Sequence, residues 1–255
     1  MRLHRFYTTE KIDTEHVFTI DSAELVHQVR RVFRLKKGDS IILFNGTHFD
    51  YICKIDDSDT GSIIVSDNSI RLRVTAMERS RSSTQQKLFL CAAITKKDTF
   101  EWIVEKATEL GVTDIIPVMA ERSEKKSLNA VRLNKIAIEA SEQSGRDTIP
   151  MVHPIMGLLD VEDLLQQGPA SPTSSNIQKI AFHTEGELLK REDLSSYTTQ
   201  KADLACFIGP EGGWSPQEIE MFHTHNIPVK CLGSQILRTE TAVVAALSLV
   251  VFAPK

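Results

Sequence analysis

The chain has 255 residues, 41% of them hydrophobic and 25% charged, and a net charge of −4. This is the balance of a soluble globular protein with room for one large domain or two ordinary ones, and it argues against a uniformly basic nucleic-acid binder. The opening "MRLHRFYTTEKID" has no apolar signal core, and the longest apolar run, "AVVAALSLVVFA" (242–253), is too short to cross a bilayer. The expectation is a cytoplasmic protein without a membrane segment.

Cys53, Cys91, Cys206 and Cys231 are isolated and form no C-x-x-C pair, so they read as reduced core residues with no metal site implied. The charge is uneven along the chain. Residues 1–73 sum to zero, 74–97 to +4 and the remainder to −8. An acidic total is compatible with RNA binding if the basic residues share one face.

Residues 1–73 have the pattern of a small β-rich module. "SIILFNGTHFDYICKI" predicts a strand, an Asn45-Gly46 turn and a second strand, and "GSIIVSD" (61–67) predicts another. In "SAELVHQVRRVFRL" one helical stripe holds Leu25, Val29, Val32 and Phe33, and the opposite one holds His27, Arg30, Arg31 and Arg34. The basic stripe reads either as a solvated face or as phosphate contact. Residues 74–87, "VTAMERSRSSTQQK", lack apolar periodicity and predict a linker.

From residue 88 the pattern alternates. "KLFLCAAI" predicts a buried strand and "DTFEWIVEKATELG" a helix, with Asp98 and Glu101 as a capping box and Gly111 as its terminator. "TDIIPVM" predicts the next strand. Further strands, "KIAFH", "LACFIG" and "PVKCLG", alternate with helices at "VRLNKIAIEASEQS", "SPQEIEMFHTHN" and "TAVVAALSLVVF", and residues 166–176 predict a surface loop. Residues 88–255 therefore read as an open α/β sheet, whose ligands bind beyond the carboxyl ends of the strands.

That rule selects three loops. In "FIGPEGGWSPQEIE" a strand ends near Ile208 and Gly209, Pro210-Glu211-Gly212-Gly213 shape the turn, and Ser215 with Glu218 opens a helix as a capping box. The glycines suit either a tight turn or close approach of a ligand to the main chain, and Glu211 favours the second. In "CLGSQILRTETA", Leu232-Gly233 ends a strand and Ile236-Leu237 follow. Thr239 is the expected N-cap of the last helix, with Glu240 in its first turn. Thr241 either closes a pocket or helps the cap. Arg238 opposes the helix macrodipole and calls for an anionic partner. His183, after "KIAF", is a candidate for a pocket wall.

Taken together, "KATELGV" (106–112), "ERS" (121–123), "EASEQSGR" (139–146), "GPEGGW" (209–214) and "LGSQILRTETA" (232–242) resemble the RsmE family of 16S ribosomal RNA methyltransferases, in the SPOUT superfamily. "HQVRRVFRLKKGD" is similar to that family's PUA-like RNA-binding domain. The resemblance implies an α/β fold in which a PUA-like β-barrel (1–73) and a linker (74–87) precede a SPOUT methyltransferase domain (88–255). That domain would have helices on both faces of a parallel sheet and a C-terminal trefoil knot. It implies a homodimer that methylates uracil N3 of one uridine in 16S rRNA of the small ribosomal subunit.

S-adenosylmethionine would be held by His183, Ile208, Gly209, Pro210, Glu211, Gly212, Gly213, Leu232, Gly233, Ile236, Leu237 and Thr241. Arg238, Glu240, Arg122 and Arg146 would be catalytic, and Arg30, Arg31, Arg34 and Lys36 would contact RNA. Two other readings compete: an RNA-binding assembly factor without activity, and a SPOUT enzyme with another RNA target.

Overall fold

The computed structural model describes residues 3–56, 69–80, 86–123, 127–167, 177–190, 192–193 and 202–252. The strand expected at 61–67 and most of the loop expected at 166–176 lie outside the described residues. The chain divides into two units, Met1–Ser83 with Ser141–Thr148, and Thr84–Ala140 with Ile149–Lys255.

In the first unit, β1 (Arg5–Tyr7), β2 (Phe18–Ile20), β3 (Ser40–Phe44), β4 (Phe49–Ile55) and β5 (Ile70–Arg79) form one mixed sheet in the order β1-β3-β4-β5-β2. Its inward residues, among them Phe6, Ile20, Ile41, Leu43, Cys53 and Leu72, share a core with Leu25, Val26 and Val29 of the helical segment. That segment is α1 (Ala23–His27) followed by a π-helical turn over Gln28–Val32.

The widened turn is visible in its bonds, for the Phe33 amide donates to Gln28 O and the Leu35 amide to Val29 O, both at 2.9 Å. It carries Val32 out to 58% exposure, where a continuous α-helix would have kept it inward. It also breaks the expected basic stripe. Arg34 leaves the helix with φ +54°, and Arg30 Nη2 donates to Ser69 O at 2.8 Å.

Two boundaries differ from the sequence expectation. Residues 74–79 are not linker: β5 continues to Arg79 and pairs with β4, Asp50 facing Glu78 and Phe49 facing Arg79. From Thr75 to Arg79 the side chains are exposed or nearly so, and no buried face left a period to read. The second difference is residues 141–148, which belong to the first unit. There the Tyr7 amide donates to Glu142 Oε1 at 2.9 Å, Arg5 Nη1 donates to Arg146 O at 2.8 Å, and His48 Nδ1 lies 2.7 Å from Asp147 Oδ2. These ties span 99 to 141 positions, beyond the reach of any local pattern.

In the second unit, β6 (Leu88–Ala93), β7 (Asp114–Met119), β8 (Met151–Val152), β9 (Met156–Gly157), β10 (Gln178–Leu188), β11 (Leu204–Ile208) and β12 (Val229–Cys231) form a wholly parallel sheet. Its order is β12-β10-β11-β6-β7-β8, with β9 also on β7. Alternate residues of each strand enter opposite cores, as the two-residue period requires. Leu88, Leu90 and Ala92 meet α2 (Lys97–Glu109), α3 (Ala130–Ser144) and α6 (Thr239–Val251). Phe89, Cys91 and Ala93 meet α4 (Leu158–Gln167) and α5 (Pro216–Thr224).

Gly111, at φ +89°, follows the end of α2 as expected. The Asp98–Glu101 capping box does not form: Lys96 is the N-cap, and its side chain does not cap the helix. Glu101 instead receives Lys97 and Arg132. Cys53, Cys91 and Cys206 are buried, and burial pushes the Cys53 and Cys206 thiols up to about 12 and Cys91 well above its usual range. Cys231 is partly exposed. Among the described residues no helix is long and apolar enough to cross a membrane.

Candidate functional site

Loops at the carboxyl ends of β7, β11 and β12, together with the middle of β10, surround a cavity of about 350 Å3. The glycine loop after β11 gives it Gly209, Pro210, Glu211, Gly212 and Gly213. The loop after β12 gives it Leu232, Gly233, Gln235, Ile236 and Leu237, and α6 closes it with Thr239 and Ala242.

The glycine loop is held by its tryptophan. Trp214 is buried against Phe222, and its Nε1 donates to Phe182 O at 3.2 Å. A Cβ on Gly209 would meet that indole at 3.2 Å, so the close approach favours glycine there. Gly213 turns at φ +69°, its amide donating to Pro210 O at 2.8 Å. Ser215 and Glu218 form the expected capping box of α5.

On β10 the register shifts after Phe182: both Phe182 and Glu187 face Lys230, and residues 183–186 bulge from the ladder. His183 is therefore not the end of the strand. Gly186 permits the bulge, since a Cβ there would lie 2.6 Å from the backbone of Lys230. The bulge turns His183, Thr184 and Glu185 to the cavity, with His183 Nδ1 accepting the Glu185 amide at 3.1 Å. The turn after β7 contributes Arg122, exposed, whose Nη1 donates to Gly212 O at 2.8 Å.

Of the twelve residues expected to hold a cofactor, eleven line this cavity, and Thr241 does not. It is exposed one position past Glu240, while Thr239 is buried and donates its hydroxyl to Gly209 O at 3.2 Å. The N-cap of α6 is Arg238, not Thr239, and its side chain makes no cap bond. Arg238 stands exposed between two wall residues, Leu237 and Thr239; its carbonyl accepts the Ala242 amide at 2.8 Å, while its side chain makes no hydrogen bond or ion pair among the described residues. Glu240, half-exposed in the first turn of α6, is off the wall.

Arg146 belongs to the first unit, is buried, and does not line the cavity. Burial lowers its pKa to about 10, against the opposing effect of Asp147, so it stays charged at neutral pH. Arg31, Arg34 and Lys36 are exposed in the first unit, and Arg30 is half-buried there. The sequence reading missed Thr184 and Glu185 as site residues, and also Phe182, Cys231, Gln235, Thr239 and Ala242. Gly186 was the available signal for the first two, as an isolated glycine inside a strand pattern marks a bulge.

The arrangement can hold a flat apolar group between Ile208, Leu232, Ile236 and Leu237, offer main-chain groups from the glycine loop, and balance charge with Glu185, Glu211 and Arg122. A family model described as RNA methyltransferase domain matches residues 82–251, and one described as RNA methyltransferase PUA domain matches residues 24–67.

The ribosomal RNA small subunit methyltransferase E of Rickettsia conorii is 31% identical over 249 residues, covering 97% of this chain and 95% of its own. That of Bacillus subtilis is 31% identical over 253 residues, covering 94% and 92%. Among solved structures, the ribosomal RNA small subunit methyltransferase E of Neisseria gonorrhoeae bound to S-adenosyl methionine is similar with 26% identity and a TM-score of 0.80, covering 97% of this chain and 96% of that one. A putative methyltransferase of Legionella pneumophila with bound SAM is similar with 27% identity and a TM-score of 0.81, covering 98% and 97%.

Proposed function

Because this chain belongs to the ribosomal RNA small subunit methyltransferase E family, we propose that it methylates N3 of one uridine in the decoding region of 16S rRNA. The methyl donor is S-adenosylmethionine and the substrate is the small ribosomal subunit in the cytoplasm. The observation that carries this reading is the cavity at the strand ends, built by the two glycine-bearing loops after β11 and β12.

The residues present suit that donor. Ile208, Leu232, Ile236 and Leu237 offer apolar surface for an adenine, and Gly209, Gly212 and Gly233 leave main-chain groups open to its edge and to the ribose. Glu185 and Glu211 offset the cationic sulfonium and ammonium, and Arg122 suits the carboxylate. When bound, S-adenosylmethionine supplies an electrophilic methyl group.

The chain must then position uracil and stabilise its anion, since the N3 lone pair becomes available only as the N3 proton leaves. Arg238 is the group assigned to that charge: it is a cation at the edge of the cavity with no carboxylate of the described chain neutralising it. Glu211, on the wall, is better placed than Glu240 to accept the proton. Arg31, Arg34 and Lys36, exposed in the first unit, hold RNA phosphates, which position the substrate without reading its sequence, while Arg30 is engaged with Ser69 O.

A trefoil knot belongs to the same reading. It is supported by β12 lying at the sheet edge beside β10 while the next element, α6, packs in the core beneath β6 and β11. So does a homodimer. Helix α6 is apolar on nearly every side, yet Leu249, Val251 and Phe252 are 40%, 41% and 71% exposed, and a helix of that kind is normally covered.

The test is incubation with labelled S-adenosylmethionine and small subunits lacking the modification, naked 16S rRNA, or tRNA, followed by nucleoside identification. Label in 3-methyluridine from the subunits is expected. Cofactor binding with no label in any RNA would overturn the proposed reaction in favour of a binding factor.

A further inference from the structure

We infer that Glu218 is a positioning residue that clamps two walls of the cofactor cavity together. Its carboxylate is divided between them. Oε2 accepts the Ser215 amide at 2.7 Å, completing the capping box at the end of the glycine loop. Oε1 accepts the Glu121 amide at 2.9 Å, across 97 positions of sequence.

Of the two bonds to the carboxylate, the capping box uses only the first, beside the Glu218 amide on Ser215 Oγ at 3.3 Å. The second ties the Ala120–Ser123 turn to α5; within the turn the Ser123 amide donates to Ala120 O at 3.1 Å and the Ala120 amide to Ser123 Oγ at 3.2 Å, and Ala120 is buried in the core. That turn carries Arg122. The Arg122 guanidinium reaches Gly212 O at 2.8 Å, and its aliphatic stem lies against the space where a Cβ on Gly212 would stand, 3.4 Å away. Glu218 itself does not line the cavity, so it acts through Arg122 and the glycine loop. The effect on cofactor binding rests on the function proposed above, whereas the clamp between the loops does not.

The experiment compares Glu218→Gln, Ser215→Ala, Arg122→Ala and the double variant Glu218→Gln/Arg122→Ala. Amide hydrogen exchange across residues 119–123 and calorimetric affinity for S-adenosylmethionine are measured on each folded protein. Glu218→Gln keeps the side chain's shape but weakens its acceptors. It is expected to speed exchange at Glu121 and to weaken cofactor binding about tenfold.

Ser215→Ala removes only the other half of the capping box and should change affinity by about twofold at most. In the Arg122→Ala background Glu218→Gln should add little, since the two act through one contact. Equal losses from Ser215→Ala and Glu218→Gln, or full additivity with Arg122→Ala, would overturn the inference. Faster exchange at Glu121 in Glu218→Gln, together with a wild-type protein that binds no S-adenosylmethionine, would support the clamp and sink the cofactor reading.

Discussion

Arg238 and Arg146 both stand in motifs that the family resemblance marks as catalytic, yet their surroundings differ. Arg238 is exposed at the edge of the cavity, and its side chain makes no bond among the described residues. Arg146 is buried in the other unit, and its backbone carbonyl receives Arg5. Replacing Arg238 with Ala is expected to lower kcat on the order of 100-fold, with the melting temperature and the affinity for S-adenosylmethionine nearly unchanged. Arg146→Ala should instead lose about 1–3 kcal/mol of stability, measured by denaturant unfolding. Sequence alone could not separate the two, because a motif shows which residues recur together and not which are under solvent.

Among the elements, those built on a strong period were legible. The six residues of β6 are all buried, and their apolar run announced a strand covered on both faces. The α5 start was legible too, because Ser215, Pro216 and Glu218 each have a local reason to stand there. What local pattern could not show were departures from a regular period. The π-helical turn moves Val32 outward while Val29 stays at 1% exposure, although both fall on one α-helical stripe. Val29→Ala is expected to cost about 1–3 kcal/mol and Val32→Ala within about 0.5 kcal/mol, by chemical denaturation. The bulge of β10 departs from the period too, with Gly186 as its one local mark. The cavity was legible from β11 and β12, whose loops hold glycines at the strand ends, but its third wall depends on a bulge that one glycine permits.

For the whole molecule, the division expected from local pattern departs from the observed units where contacts are distant in sequence. Residues 141–148 comprise the last turn of α3 and the residues just after it, yet belong with Met1–Ser83 through Arg5, Tyr7 and His48. Assembly belongs to this scale as well. If a second copy covers the exposed end of α6, Leu249→Asp with Val251→Asp should convert a dimer into a monomer in sedimentation velocity. A wild-type protein that sediments as a monomer would remove the homodimer from the proposal.

The strand order has a further consequence, for how the chain is made. β6 pairs on one side with β7, which follows within about thirty residues, and on the other with β11, residue 88 facing residue 204. During synthesis, which proceeds N-terminal first, β6 and β7 can join early while the far side of β6 keeps its amides and carbonyls bare. For more than a hundred residues of elongation the growing polypeptide presents "LFLCAA" as an open apolar edge, a template for pairing with a neighbouring nascent chain. Newly made protein is thus most vulnerable to aggregation just before β11 arrives, and holding that edge apart until then is work suited to a chaperone.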